Sequence, residues 1–258
     1  MKQIFLPFVF LILISCNKEN KTNSNIKPET AIKTEDSLVK KTVSDTANKV
    51  SLGDYEEYEK LPKLIVDSIS ESEFNQLKTT KYLEKINPEQ SGNFFYIQTE
   101  RKKHKFKKYK DYGGEESWSG YELLGYYTNL KLFAVTENST SESLGFGGLF
   151  LLDATNDYQY NIASFGDGSV ELPIPSVNNK YLVYYYNSVY ESQNCEIGVL
   201  KINDKTNPKK YLTEAASYKS DNFKIEKIIW KTDQVFFIKG YKEVENKNLY
   251  SYYKAEIK

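Results

Sequence analysis

The chain is poor in the side chains that carry most enzyme chemistry. Its 258 residues include one His (His104), two Cys (Cys16 and Cys195) and one Arg (Arg101) against 34 Lys. A structural zinc site takes three or four His or Cys ligands, and this inventory can barely supply them. A Ser-His-Asp or Cys-His relay would have to run through His104, which sits inside the run RKKHKFKKYK (101–110) rather than beside a nucleophile. Glu115 and Glu116, in DYGGEESWSGY (111–121), are the obvious carboxylate pair. Glycoside hydrolysis, however, needs two carboxylates facing each other across a cleft, ~5 to 9.5 Å apart, and adjacent residues point apart. Asp153, Asp157 and Asp167 lie in turn-forming contexts, Asn156-Asp157 and Asp167-Gly168, without the spacing of a calcium loop. The sequence leans against an enzyme and predicts no catalytic residue, no metal and no cofactor.

Binding chemistry is better represented. Residues 101–110 hold seven Lys or Arg, among them Arg101, Lys103, Lys105 and Lys107. On a strand, charges on both faces make an exposed ribbon that resists pairing with other chains. The alternative is an anion-binding ribbon for lipid phosphates or an acidic partner. Trp118, on a glycine-containing loop, can stack on a sugar ring or fill a partner's pocket. With 35 basic and 35 acidic residues the formal charge is zero, which argues against nucleic acid as a partner.

These side chains need a frame, and the frame reads as β. All 22 Tyr, both Trp and 11 of the 14 Phe follow residue 50, in short runs with Ile and Val between Asn, Gly and Asp. A weak repeat emerges. SGNFFYIQ (91–98), TNLKLFAV (128–135), VNNKYLVYYY (177–186) and KTDQVFFI (231–238) each place a polar turn before an aromatic and aliphatic strand. A second strand follows in three of them: GGLFLLDA, EIGVLKIN and NLYSYYKAEI. One helix is predicted, capped by Ser70 or Ser72, with Phe74, Leu77, Tyr82 and Ile86 on one face, ending at Asn87-Pro88. The acidic stretch 54–59 reads as a solvated approach to the domain, and Cys195 as a small buried residue at a strand start.

Residues 2–15, KQIFLPFVFLILIS, place an 11-residue apolar run after a Lys. That run is too short to cross ~30 Å of hydrocarbon as a helix and fits an export signal. Leu13-Ile14-Ser15-Cys16 resembles the lipobox of bacterial lipoproteins, which implies acylation of Cys16 after cleavage before it. Residues 16–50 carry no aromatic residue and read as a disordered tether of net charge +2. Residues 51–258, with 27 basic and 30 acidic residues, read as a single β-rich domain. PIPSVNNKYLVYYYN, followed by IGVLKINDKTNPKKYLT, resembles a blade of the Tol-type or WD-repeat β-propellers, with Asn178-Asn179-Lys180 where that family has Asp-Gly-Lys. The resemblance implies blade-like antiparallel meanders, in a small or incomplete propeller or a sandwich, and transfers no catalytic residue.

The expectation is therefore a cell-envelope lipoprotein, anchored at the outer membrane and facing the periplasm. Its non-catalytic β-domain takes a protein partner. The alternative is a glycan- or lipid-binding lipoprotein, with or without weak hydrolase activity.

Overall fold

A computed structural model describes residues 48–53, 55–114, 117–141, 144–189 and 193–258. The expected signal segment, Cys16 and nearly all of the expected tether lie outside the described residues, as do Glu115 and Glu116. The fold is mainly β. After β1 (Lys49–Leu52), α1 (Tyr55–Lys60), β2 (Ile65–Ser68) and α2 (Glu71–Phe74), four antiparallel meanders follow in chain order. Sheet one is β3 (Glu89–Ser91), β4 (Phe94–Gln98) and β5 (Lys103–Lys107). Sheet two runs from β6 (Lys110–Asp111) through β7 (Trp118–Tyr127), β8 (Leu132–Ser141) and β9 (Leu144–Asp153) to β10 (Gln159–Ile162), and β1 adds in parallel on β10. Sheet three is β11 (Ile174–Pro175), β12 (Tyr181–Asn187), β13 (Cys195–Ile202) and β14 (Leu212–Ser220). Sheet four is β15 (Lys224–Trp230), β16 (Val235–Val244) and β17 (Lys247–Glu256), completed by β2 on β17.

The four repeated sequence segments fall on β4, β8, β12 and β16, each an inner strand of its sheet. In β8, β12 and β16 the continuous apolar runs follow from apolar neighbours on both sides of the strand, whereas in β4 only Phe95 and Ile97 are buried and Phe94 and Tyr96 face outward. In β8, Leu132 and Ala134 join the core shared with sheet three, while Phe133 and Val135 turn to sheet one. In β12, Leu182, Tyr184 and Tyr186 face sheet two, and Val183 faces sheet four with Ile197, Val199, Phe236 and Ile238. Gly198, opposite Tyr184 in the β12–β13 register, leaves room for its ring; a Cβ there would sit 2.2 Å from the Tyr184 ring carbon Cζ.

Three of the four turns before the repeated strands share a device. Gly92, Lys131 and Asn179 take φ of 52°, 54° and 55°, so Asn179 fills the slot that the propeller pattern gives to Gly. The Ser176 hydroxyl accepts from the amides of Lys180 and Tyr181 at 3.0 and 3.1 Å and donates to Asp233 at 2.7 Å. Asp233 also accepts from the Asn178 amide and side chain, at 2.8 and 3.0 Å, tying sheet three to the β15–β16 turn. Burial pushes the Asp233 carboxyl up, but these bonds and Lys180 outweigh it and hold the group below the ordinary carboxylate range.

Two expectations are corrected. The helix is a single turn, Glu71–Phe74, with the Ser70 hydroxyl accepting from the Glu73 amide at 3.1 Å. A longer helix cannot satisfy both ends of this segment. Phe74 and Leu77 pack on Ile229 and Phe237 of sheet four, whereas Tyr82 and Leu83 pack on the core between sheets two and three. Glu84 exchanges two backbone hydrogen bonds with Tyr126, each 2.9 Å, which requires extended chain. The acidic stretch is likewise more than a solvated approach. Tyr58 is buried, and its hydroxyl lies 3.0 Å from the Ile197 carbonyl and 2.6 Å from that of Tyr218, pinning α1 onto sheet three.

Candidate binding face

Strand β5 reads Lys-His-Lys-Phe-Lys, and the period-two pleat sorts it into two faces. Inward, the Phe106 ring lies 5.3 Å from Phe95, 5.3 Å from Tyr121 and 6.1 Å from Phe150, covering sheet two. His104, also inward, meets the buried carboxylate of Asp157 at 3.0 Å from Nε2, and the Thr99 hydroxyl donates to the same oxygen at 2.5 Å. Burial acts to raise the Asp157 carboxyl, but Thr99, His104 and Lys102 hold it below the ordinary range. The expected ribbon with charges on both faces is thus corrected to an amphipathic strand. Val135 and Phe150 of sheet two need an apolar cover, and Phe106 supplies it.

Outward, Lys103, Lys105 and Lys107 stand in register with Gln98, Tyr96 and Phe94. Their stems lean along the pleat onto diagonal neighbours, which are within reach of long side chains. The Lys105 ammonium lies 3.8 Å from the Phe94 ring centroid and that of Lys103 lies 4.7 Å from Tyr96. Lys107 and Lys110 straddle Tyr112, at 3.8 and 4.9 Å. Each cation over a ring contributes about 0.5–1 kcal/mol at an exposed site, enough to bias where the head group sits. Glu89, paired with Lys103 at 2.6 Å, is an acid on this face.

Beyond the row, the Lys107 ammonium donates to the Ser119 hydroxyl at 3.4 Å, and Trp118, the adjacent residue of β7, points to the opposite side of that strand. Its indole is half exposed and lies tilted against Tyr109 at 5.4 Å. Gly113 and Gly114, with φ of 75° and 73°, form the loop before it, where the Asp111 carboxylate accepts from the Gly113 amide at 2.8 Å. Arg101 is not part of this set: it is exposed in the β4–β5 turn, outside the alternation. Phe94, Tyr96 and Tyr112 went unnoticed in the sequence, although reading the K-H-K-F-K alternation as a period-two strand would have required ring partners across the pleat.

The other carboxylates are structural. Asp153 is fully buried and accepts from the Thr155 amide and hydroxyl at 2.8 and 2.6 Å and from the Lys205 ammonium at 2.7 Å. Lys205 also donates to the Leu130 carbonyl at 2.7 Å, so the pair links sheet two to the β13–β14 connection. Asp157 takes the left-handed φ of 65° its turn position suggests, yet its carboxylate serves sheet one. Asp167 accepts the Gly147 amide on its carbonyl at 2.8 Å. Cys195 is buried at the start of β13, where burial, with Glu196 and Asp221, pushes the thiol up to about 12.

The face can therefore recognise negative charge beside an apolar surface. No protein-family model, curated protein or solved structure matches the chain.

Proposed function

We propose that the chain is a cell-envelope lipoprotein whose β-domain is a non-catalytic binding module, and that the outer face of sheet one takes an acidic surface of a protein partner. The observation that carries the reading is the row Lys103, Lys105 and Lys107, laid over Phe94, Tyr96 and Tyr112. Ammonium groups steered by rings meet carboxylates. The rings supply the desolvated contact that gives an interface most of its energy. The lipobox resemblance at Cys16 supports an acylated N-terminus, which would hold the domain at the outer membrane's periplasmic face through residues 16–50 without using the fold.

Two measurements test the proposal. Wild type is expected to incorporate radiolabelled palmitate and Cys16→Ser to lose it; equal labelling refutes the anchor. For the face, an affinity-tagged chain with Lys103→Glu, Lys105→Glu and Lys107→Glu is compared with wild type. A protein that binds wild type and is released by ~0.5 M salt, where charges more than a few Å apart are screened, is expected to be lost from the variant. Equal recovery by both chains, with thermal unfolding unchanged, refutes it.

A further inference from the structure

Where sheets two, three and four come together, residues 79–82 close over a cavity of about 190 Å³. Its walls are Tyr82, Tyr127, Ile174, Pro175, Ile228 and Trp230. The polar atoms of the two largest rings are already used: the Tyr127 hydroxyl donates to the Pro173 carbonyl at 2.6 Å and the Trp230 indole N–H to the Ile174 carbonyl at 2.9 Å. Both rings are nearly buried, Tyr127 beside the parallel ring of Tyr82, so the accessible apolar wall is that of Tyr82, Ile174 and Pro175. The rim is different. Thr79, Thr80, Asn129 and Asn179 border the cavity, and among the described residues their side chains make no hydrogen bond within the chain. Lys81 supplies the one charge, and no carboxylate lines the site.

Three features narrow the ligand. The volume lies below the ~300–1,000 Å³ of pockets that enclose drug-sized molecules, so it admits one ring rather than a chain. An amino acid would bring an ammonium with no acid to meet it, and a wholly apolar ligand would leave four hydroxyl and amide groups unused. A molecule with an apolar face and a girdle of hydroxyls uses both wall and rim. We infer that this cavity binds a single uncharged sugar ring, its C–H face against the wall of Tyr82, Ile174 and Pro175 and its hydroxyls on Thr79, Thr80, Asn129 and Asn179. The site is independent of the lysine face and uses none of its residues.

The chain has two tryptophans, so Trp118→Phe leaves Trp230 as the sole emitter. Glucose, N-acetylglucosamine and glucuronate are titrated against the full chain carrying that change. A saturable shift in Trp230 emission with at least one of the two neutral sugars, half-complete on the order of 1 mM as expected for one small ring, is the predicted result. Thr80→Ala with Asn129→Ala, which removes two side chains that hold nothing else, is expected to weaken it tenfold or more with the melting temperature unchanged. No saturable response to either neutral sugar overturns the inference, as does a response to glucuronate alone, which would make Lys81 the centre of an anion site. An undiminished response in the double variant overturns it too.

Discussion

Asp157→Asn isolates the contact that holds β5, and with it the lysine row, against sheet two. Asn has the same shape and tolerates the left-handed φ of 65° at this position, so the backbone is not newly strained. What changes is the charge on the oxygen that Thr99 and His104 share. A hydrogen bond to an ionised group contributes about 1.5–3 kcal/mol and a neutral one about 0.5–1.5, so two bonds lose ~2 kcal/mol together. For a domain of this size that is ~4–8 °C in melting temperature. The pH dependence has a definite sign. Because the folded carboxyl is held below its ordinary range, its contribution is complete above the unfolded value of about 3.9 and is lost as pH falls through the lower folded value. The variant has nothing to titrate there, so the stability gap between the two proteins should be full at pH 7 and close progressively below pH ~4. Urea unfolding across that range is the assay. Equal midpoints at pH 7, or a gap that does not narrow in acid, would refute the assignment of Asp157 as an ionised link between the sheets.

Gly198→Ala should cost ~1–3 kcal/mol in urea unfolding by driving a methyl into the Tyr184 ring, and the same change should be nearly neutral in a Tyr184→Ala background. Asp233→Ala should cost ~1–2 kcal/mol at pH 7 by freeing Ser176 and Asn178, with the loss fading as pH falls below the ordinary carboxylate range. Native Cys195, measured in a Cys16→Ser chain with Ellman's reagent at pH 8, should not react until denaturant is added, since the thiol is buried and pushed up to about 12; prompt native labelling contradicts its placement.

The repeat was legible because burial on both faces forces the same pattern on β8, β12 and β16: a polar turn, then an unbroken run such as LFAV or LVYYY. The positive-φ position in those turns was only partly written in residue type: Asn179 and Gly92 accept it readily, whereas Lys131 gives no such signal. Strands β1 and β2 were not. Their short segments, KVSL and IVDS, carry no internal signal and become strands only because β10 and β17 leave open edges for them. The long helix failed for a related reason: its apolar spacing is real, but Phe74 and Tyr82 answer to two different cores. At the candidate face the lysines were visible and their geometry was not, because which side of β5 carries charge depends on the register with β4 and on the apolar surface of sheet two beneath it. The cavity at residues 79–82 had no sequence signature at all, as its walls come from four separate stretches of chain.

The most direct test of the binding face is in-cell photo-crosslinking from two positions in the full-length protein. A photoreactive residue at 105, on the outer face of β5, is compared with one at 209, equally exposed in the connection after β13. A discrete protein adduct from position 105, absent from position 209 and abolished when Lys103→Glu and Lys107→Glu are added, is the predicted result. Adducts of equal intensity from both positions, or an adduct from 105 that survives the charge reversal, would contradict it.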